Sequence, residues 1–417
     1  MKVLFVGVNA EICASMFADF LRALVCAAEV DFYGPGYSTN DELERGLTEY
    51  WKQKKYDLVL INSVIYRYSI RYWNNDIDIE DAFFLHRVCL TNFSIYEAFQ
   101  YADNIVEEVL NLKTIRVLQY ADDTVAIPEK MEEFLKDMFE AGVYLLGEGA
   151  ELLREVPDKE YYGIHPMTNK YRDLVKKNSS QVISMMPFSL TYFDLAWQPI
   201  CKREFDYTIP GSISKLEYHT RYSIQCKLRQ RKLKEYTSFS DREMKFKRGP
   251  NRTEQAYYQN DTEKYIASMV KSSYIVSPFK RSEITKWREE FNIALSSSKI
   301  AYADGGEGEV MVRKYAEIPA RATVLIARDV VGLQNVGFVD GENMILVTED
   351  NVVEKCEELL ENPIEMQKIA LEGQKLVIQK HMANKCVENF LMAITAIKRN
   401  DYHGAYWEKG RFVIMEN

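Results

Sequence analysis

The sequence predicts an α/β protein built on two mainly parallel sheets, from three observations. Strand-length apolar runs alternate with amphipathic helical stretches from the first residues onward. The alternation is written twice. An irregular, aromatic stretch interrupted by prolines separates the two sets.

The first set of runs is KVLFVG (2–7), EVDFYG (29–34), DLVLINS (57–63), IRVLQYA (115–121) and VYLLG (143–147), each rich in Val, Leu, Ile, Tyr or Phe. Between them, 13–27 and 97–111 carry helical periodicity. Runs that are apolar throughout suit strands covered by helices on both faces. The second set is DYTIPG (206–211), SYIVSPF (273–279), KIAYAD (299–304), TVLIAR (323–328) and MILVT (344–348). Helical patterns follow over 351–363, 364–381 and 384–399, and the last eighteen residues, 400–417, fit no element. The join falls near 187–205, and the absence of a Gly/Ser-rich linker predicts closely coupled domains. The expected division is 1–195, 196–385, and a C-terminal helix and tail, 386–417, that can return to the first domain.

The bulk numbers agree with this division. A chain of 417 residues exceeds one ordinary core. Hydrophobic residues make up 47% and charged residues 28%, with no apolar stretch near the roughly 20 residues that cross a bilayer, so a soluble, cytoplasmic protein is expected. The opening apolar run breaks at Gly7 and Asn9, too early for a signal-peptide core. Seven cysteines, never spaced Cys-x-x-Cys, argue against a zinc knuckle and a secreted disulfide framework and predict reduced thiols. A net charge of −9 argues against nucleic acid as a partner. Within it, residues 215–252 hold twelve Lys or Arg against four Asp or Glu. Such a strip is either a solvated helix face or an attractor for an anionic ligand or a membrane surface.

In parallel α/β sheets ligands collect at the carboxyl ends of strands, so candidate residues are those that follow a strand. After KIAYAD comes GEGEVMVRKYAEIPA (306–320), a glycine-rich turn and then a short helix that Pro319 limits to two or three turns. This places Glu309 at the helix entrance and Glu317 farther along. A carboxylate accepts two hydrogen bonds at once, as paired sugar hydroxyls require, and Arg313 or Lys314 suits phosphate. The plainer reading is a helix-dipole partner at Glu309 and an i, i+4 ion pair from Arg313 to Glu317.

After DYTIPG, Gly211 lets backbone approach a ligand closely and Arg221 lies on the following helix, a natural diphosphate position or an ordinary turn. KFKRGPNR (245–252) adds Lys245 and Arg248, which can neutralise a leaving diphosphate. DGEN (340–343) is a turn by its Asp-Gly, with Glu342 and Asn343 as further candidates. In the first half, Gly7 and Asn9 face the cleft after the first strand, in a loop without the G-x-G-x-x-G of dinucleotide binders. His165 in YYGIHPM is the histidine best placed for catalysis, although a lone histidine is more often structural. No Asp-x-Asp pattern falls at a suitable place, since DIDIED (76–81) lies in the wrong domain, so neither metal nor cofactor is expected.

RKYAEIPARATVLI (313–326), VGFVDGENMILVTEDN (336–351) and LLENPIEMQKIALEGQKLV (359–377) together resemble the C-terminal half of the CgeB-like (spore maturation protein) glycosyltransferases, relatives of the group 1 transferases. The resemblance covers roughly 290–390. It implies the GT-B fold, with two facing Rossmann-like domains. It also implies an acceptor-binding N-terminal half and a nucleotide-sugar donor held mainly by the C-terminal half. The family's Glu-x7-Glu pair maps onto Glu309 and Glu317, the first implied to orient the donor sugar and the second to bind the ribose hydroxyls. The loop departs from the family in lacking Gly-Phe-Gly after the first acid, and Glu307 stands two residues from Glu309. DGEN would lie beside the donor pocket. The activity so implied is metal-independent transfer of a sugar from a nucleoside-diphosphate donor to an unidentified acceptor, with retention of configuration implied by the acid pair. The alternatives are a noncatalytic nucleotide-sugar-binding scaffold and a nucleotide-sugar epimerase.

Overall fold

The structure is a computed structural model, and it describes residues 1–7, 15–63, 65, 69, 95–119, 129–147, 173–184, 190, 195–211, 213, 219–236, 290–305, 311–330 and 332–415. In the first unit the described strands are β1 (Lys2–Val6), β2 (Glu29–Tyr33), β3 (Leu58–Asn62), β4 (Ile115–Gln119), β5 (Tyr144–Gly147) and β6 (Val182–Ser184). Helices α1 (Ser15–Ala27), α2 (Asn40–Arg45), α3 (Leu47–Lys54), α4 (Ile95–Asn111) and α5 (Glu129–Glu140) alternate with them. The strands run parallel in the order 2-1-3-4-5-6. All five residues of β3 are buried, as expected of a strand covered on both faces.

The second unit repeats the plan. Strands β7 (Phe205–Thr208), β8 (Glu235–Tyr236), β9 (Ser298–Ala303), β10 (Val324–Ala327) and β11 (Ile345–Leu346) form a parallel sheet in the order 8-7-9-10-11. Renumbered from its own first strand, this is again 2-1-3-4-5. Two doubly wound parallel sheets in one chain are what the alternation of the sequence called for. Helices α6 (His219–Arg229), α7 (Lys314–Ala320), α8 (Val352–Glu361) and α9 (Pro363–Leu376) accompany the sheet, with cores on both of its faces.

The chain then crosses back. A π-helical turn, Val377–His381, leads into α10 (Ala383–Lys398), whose Val387, Phe390, Ala393, Ile394 and Ile397 enter the core of the first unit. Phe390 meets Phe20 of α1 edge-on, 5.6 Å between ring centres, and Lys398 pairs with Asp57 at 2.6 Å. The tail that fitted no element forms β12 (Ala405–Glu408) and β13 (Arg411–Ile414), an antiparallel pair that extends the first sheet beyond β6. Its turn places Lys409 and Gly410 at φ of 47° and 75°, the two-residue geometry that matches strand twist. Among the described residues no helix is long and apolar enough to cross a membrane.

One residue fastens the amino edge of the second sheet. Arg203, 4% exposed, donates to the carbonyls of Gln198, Leu295, Ser298, Arg321 and Ala322 and to the Thr323 hydroxyl. Burial lowers its guanidinium to about 10. These partners lie ahead of β7, just before and at the start of β9, after α7 and ahead of β10, so one planar group ties these segments together.

Arg203→Leu should therefore destabilise the protein by about 3–5 kcal/mol, because each buried carbonyl stripped of its donor costs about 1–3 kcal/mol. Arg203→Lys should recover only part of this, since three donors replace five. Urea denaturation midpoints of the three proteins measure the effect.

Candidate functional site

The topological switch point of the second sheet lies between β7 and β9, the strands from which the order runs off in opposite directions. Their carboxyl ends lead to Gly211 on one side and Asp304 on the other. Arg221, in the first turn of α6, forms an ion pair with Asp304 at 2.5 Å, the two side chains being 5% and 3% exposed. Taking both charges out of water is expensive and carries no stability argument on its own. What the pair does is fix a guanidinium at the mouth of the switch point.

Lys314 opens α7 and reaches the same place. A Cβ built on Gly211 would stand 2.5 Å from Lys314 Nζ and 3.6 Å from Arg221 Nη1, so both cations converge on this glycine. Gly211 has φ of +100°, a conformation costly to any residue with a side chain. Lys314 is half-buried. Burial lowers its pKa to about 7, helped by Arg221 and opposed by Asp304 and Glu317.

Arg313 Nε donates to Glu317 Oε1 at 2.8 Å, and both side chains are largely buried. The i, i+4 pair read from the sequence is thus formed. The helix itself begins at Lys314, and residues 311–312 lie outside it. Glu317 therefore sits in its first turn, not farther along. Around the cluster, Arg328 Nη1 donates to Thr220 Oγ1 at 3.4 Å and the Tyr315 hydroxyl to the Arg328 carbonyl at 3.1 Å. Ser223 Oγ donates to Glu349 Oε2 at 2.5 Å, and Lys227 Nζ to the Glu349 carbonyl at 2.6 Å. These contacts hold α6 against the ends of β10 and β11.

The described part of the basic strip is mostly neutralised: Arg229 pairs with Glu235, Arg231 with Glu357, Lys234 with Glu204 and Lys227 with Asp350. Arg221 alone of these described bases turns inward to the switch point. Asn343 occupies both its amide atoms within its own turn, accepting from Val339 N at 2.9 Å and donating to the Gly337 carbonyl at 3.0 Å. Glu342 is exposed on that turn, and no described bond joins either residue to Arg221 or Lys314.

At the first switch point, Gly7 follows β1 and donates to the Tyr33 carbonyl at 3.1 Å. A Cβ there would meet Asn62 Cβ at 2.9 Å. Asn62 and Gln119, in register at the ends of β3 and β4, are both buried. Asn9, His165, Lys245, Arg248 and Glu309 lie outside the described residues.

Thus Gly211, Arg221 and Lys314 are brought together, with Arg313 and Glu317 on the adjoining helix, while Gly7 belongs to the other sheet. Asp304 was not singled out from the sequence. Its signal was an acid directly ending the apolar run KIAYA, where a parallel strand meets a ligand edge.

Chemically, the cluster offers an anion two cations over a glycine that a backbone or phosphate can approach closely, with a carboxylate nearby for hydroxyl groups. Among the described residues no group of His, Cys, Asp and Glu is arranged to hold a metal ion.

No curated protein matches the chain. Solved structures align over nearly its whole length at low identity. They include sucrose-phosphate synthase from Thermosynechococcus elongatus (11% identity, 96% of this chain and 100% of that one, TM-score 0.49). The HepE protein of Anabaena in complex with UDP-glucose aligns at 10% identity, over 95% of this chain and 100% of that one, TM-score 0.48. A glycosyltransferase from Rickettsia africae aligns at 10%, over 96% and 99%, TM-score 0.47. The model of a family described as glycosyl transferase-like matches residues 248–392, so the stretch that carries Lys314 and Glu317 is similar to that family.

Proposed function

We propose that the protein is a GT-B glycosyltransferase, of the CgeB-like kind, that moves a sugar from a nucleoside-diphosphate donor to an acceptor carried by the first unit. The observation that carries this reading is the convergence of Arg221 and Lys314 on Gly211 at the switch point of the second sheet. The family match over residues 248–392 supports it.

In this reading the donor's diphosphate lies over Gly211. As the glycosidic bond breaks, charge grows on the leaving phosphate oxygens, and cations already in place stabilise it without reorganisation. Arg221 is held in position by Asp304, and Lys314 supplies the second charge. Glu317, fixed through one oxygen by Arg313, receives the ribose hydroxyls. Side-chain cations make a metal unnecessary in this step, so chelation should leave turnover unchanged. The acid pair implies retention of configuration, which NMR of the product anomer reads directly.

A panel of UDP, GDP, CMP and their sugars, scored by thermal stabilisation, tests the reading, since a ligand that binds only the folded form raises stability by about 2.7 kcal/mol at a hundred times its Kd. One nucleoside diphosphate should stabilise the protein, and its sugar should be turned over. Binding without turnover would favour the noncatalytic scaffold, and a free isomerised sugar nucleotide would favour the epimerase. Glu317→Ala should abolish the shift for the active nucleotide; an unchanged shift would remove Glu317 from the ribose role. Gly211→Ala should cost about 1–2 kcal/mol of stability through its positive φ and weaken nucleotide binding, because the new Cβ occupies the place of the Lys314 ammonium. Denaturation and titration of that variant measure the two effects separately.

A further inference from the structure

Among the described residues, the cations close to Gly211 outnumber the acids. Arg221 is bonded to Asp304 at 2.5 Å. The other described acid nearby, Glu317, is bonded to Arg313 at 2.8 Å. Lys314 Nζ, pressed against Gly211 and within reach of the Arg221 guanidinium, makes no described hydrogen bond or ion pair of its own. Among the described residues, no acid is bonded to this second cation.

We propose that Lys314 enters this site as a neutral amine and takes up one proton from solvent when a diphosphate binds, so that ligand capture is coupled to proton uptake. The inference rests on the reading of the site as a diphosphate site and adds its regulation by pH. Among the described residues, the charged groups that act on the amine are Arg221 from α6, Asp304 from the end of β9 and Glu317 on its own helix. Burial and Arg221 hold its pKa down to about 7 in the bare protein. A bound diphosphate supplies negative charge at hydrogen-bond distance and raises it, as opposite charge does to any basic group. The balance is simple: the amine gains one proton, the solvent loses one, and no bond in the ligand changes.

The sign follows from linkage. The complex holds a proton that the bare site has lost above pH 7, so affinity falls as pH rises, by up to about tenfold per unit until the bound ammonium itself titrates. Below pH 7 the lysine is charged in both states and the dependence disappears.

The test is calorimetric titration at pH 8 and pH 6 in buffers of different ionisation enthalpy, which counts protons taken up per ligand bound. The probes are UDP, GDP and inorganic pyrophosphate, each titrated into native protein and into Lys314→Arg, which cannot be neutral. Subtracting the variant removes protons gained or lost by the ligand itself. Native protein should take up more protons than the variant at pH 8, and this excess should shrink at pH 6, as a group whose pKa is raised by the ligand requires. No difference at pH 8 overturns the proposal. Proton-coupled binding of pyrophosphate with no binding of any nucleotide would sink the donor reading and leave the coupling standing. Failure of pyrophosphate and nucleotides alike sinks both. Should Lys314→Arg fail to fold, Lys314→Met serves for the same subtraction.

Discussion

A guanidinium bonded to five carbonyls and a hydroxyl organises the second unit. Arg203 collects the start of β7, the helical residues ahead of β9, the end of α7 and the start of β10 onto one plane. Those carbonyls are main chain at or next to the ends of regular structure; that of Leu295 also accepts from the Thr323 hydroxyl, and a buried one left bare would be costly. Arginine alone has enough donors in a fixed fork to serve them together. The consequence reaches the other edge of the sheet. Strands β7, β9 and β10 are four to six residues long. At about 3.3 Å per residue, fixing their amino ends fixes Gly211 and Asp304 some 15–20 Å away.

The two units are joined by more than the covalent crossing near residue 200. His381, at the end of the π-helical turn, lies between Phe338 and Trp407, with ring centres 6.1 and 5.4 Å away. Burial pushes its pKa down to about 4, against the Val336 carbonyl that its Nε2 meets at 2.9 Å. It is therefore neutral, and Nε2 is the protonated nitrogen, donating to that carbonyl. The hairpin that carries Trp407 belongs to the first sheet, yet Asn335 donates to the Trp407 carbonyl and Gly410 to the Asn335 carbonyl. The tail thus adds strands to one unit while gripping a loop of the other. A π-helical turn at this crossing supplies the irregularity needed to aim His381 inward without ending the helical path abruptly.

Much of this was legible in the sequence. The runs 2–7, 29–34, 57–63, 115–121 and 143–147 became β1 to β5 within a residue or two, because strands buried on both faces have no polar positions to blur them. The runs at 299–304 and 323–328 became β9 and β10, and the helical periods after 351 became α8 to α10. Short elements escaped. Strand β6 has three residues and β8 two, too few for any period, and they exist because a neighbouring strand offers its edge. The hairpin Ala405–Ile414 escaped because its alternation is only four residues on each side and mixes Tyr, Trp and Phe with charge. The run 273–279 lies outside the described residues.

The site divides along the same line. Gly211 and Arg221 could be nominated because they follow a strand, a one-dimensional property. Which of Arg313 and Lys314 turns to the switch point could not be, since neighbours on a helix point about 100° apart and only packing sets the phase. The structure gives Arg313 to Glu317 and sends Lys314 to Gly211. That choice has a chemical meaning. Helix α7 has seven residues with Pro319 inside it, so it has little dipole to offer an anion and the charge must come from side chains. In the proposed coupling, an arginine there would add a permanent second cation beside Arg221, whereas a lysine, its pKa lowered by burial and by Arg221, can exchange its proton as an anion comes and goes. The identity of residue 314 would thus set whether the second charge over Gly211 is fixed or arrives with the ligand.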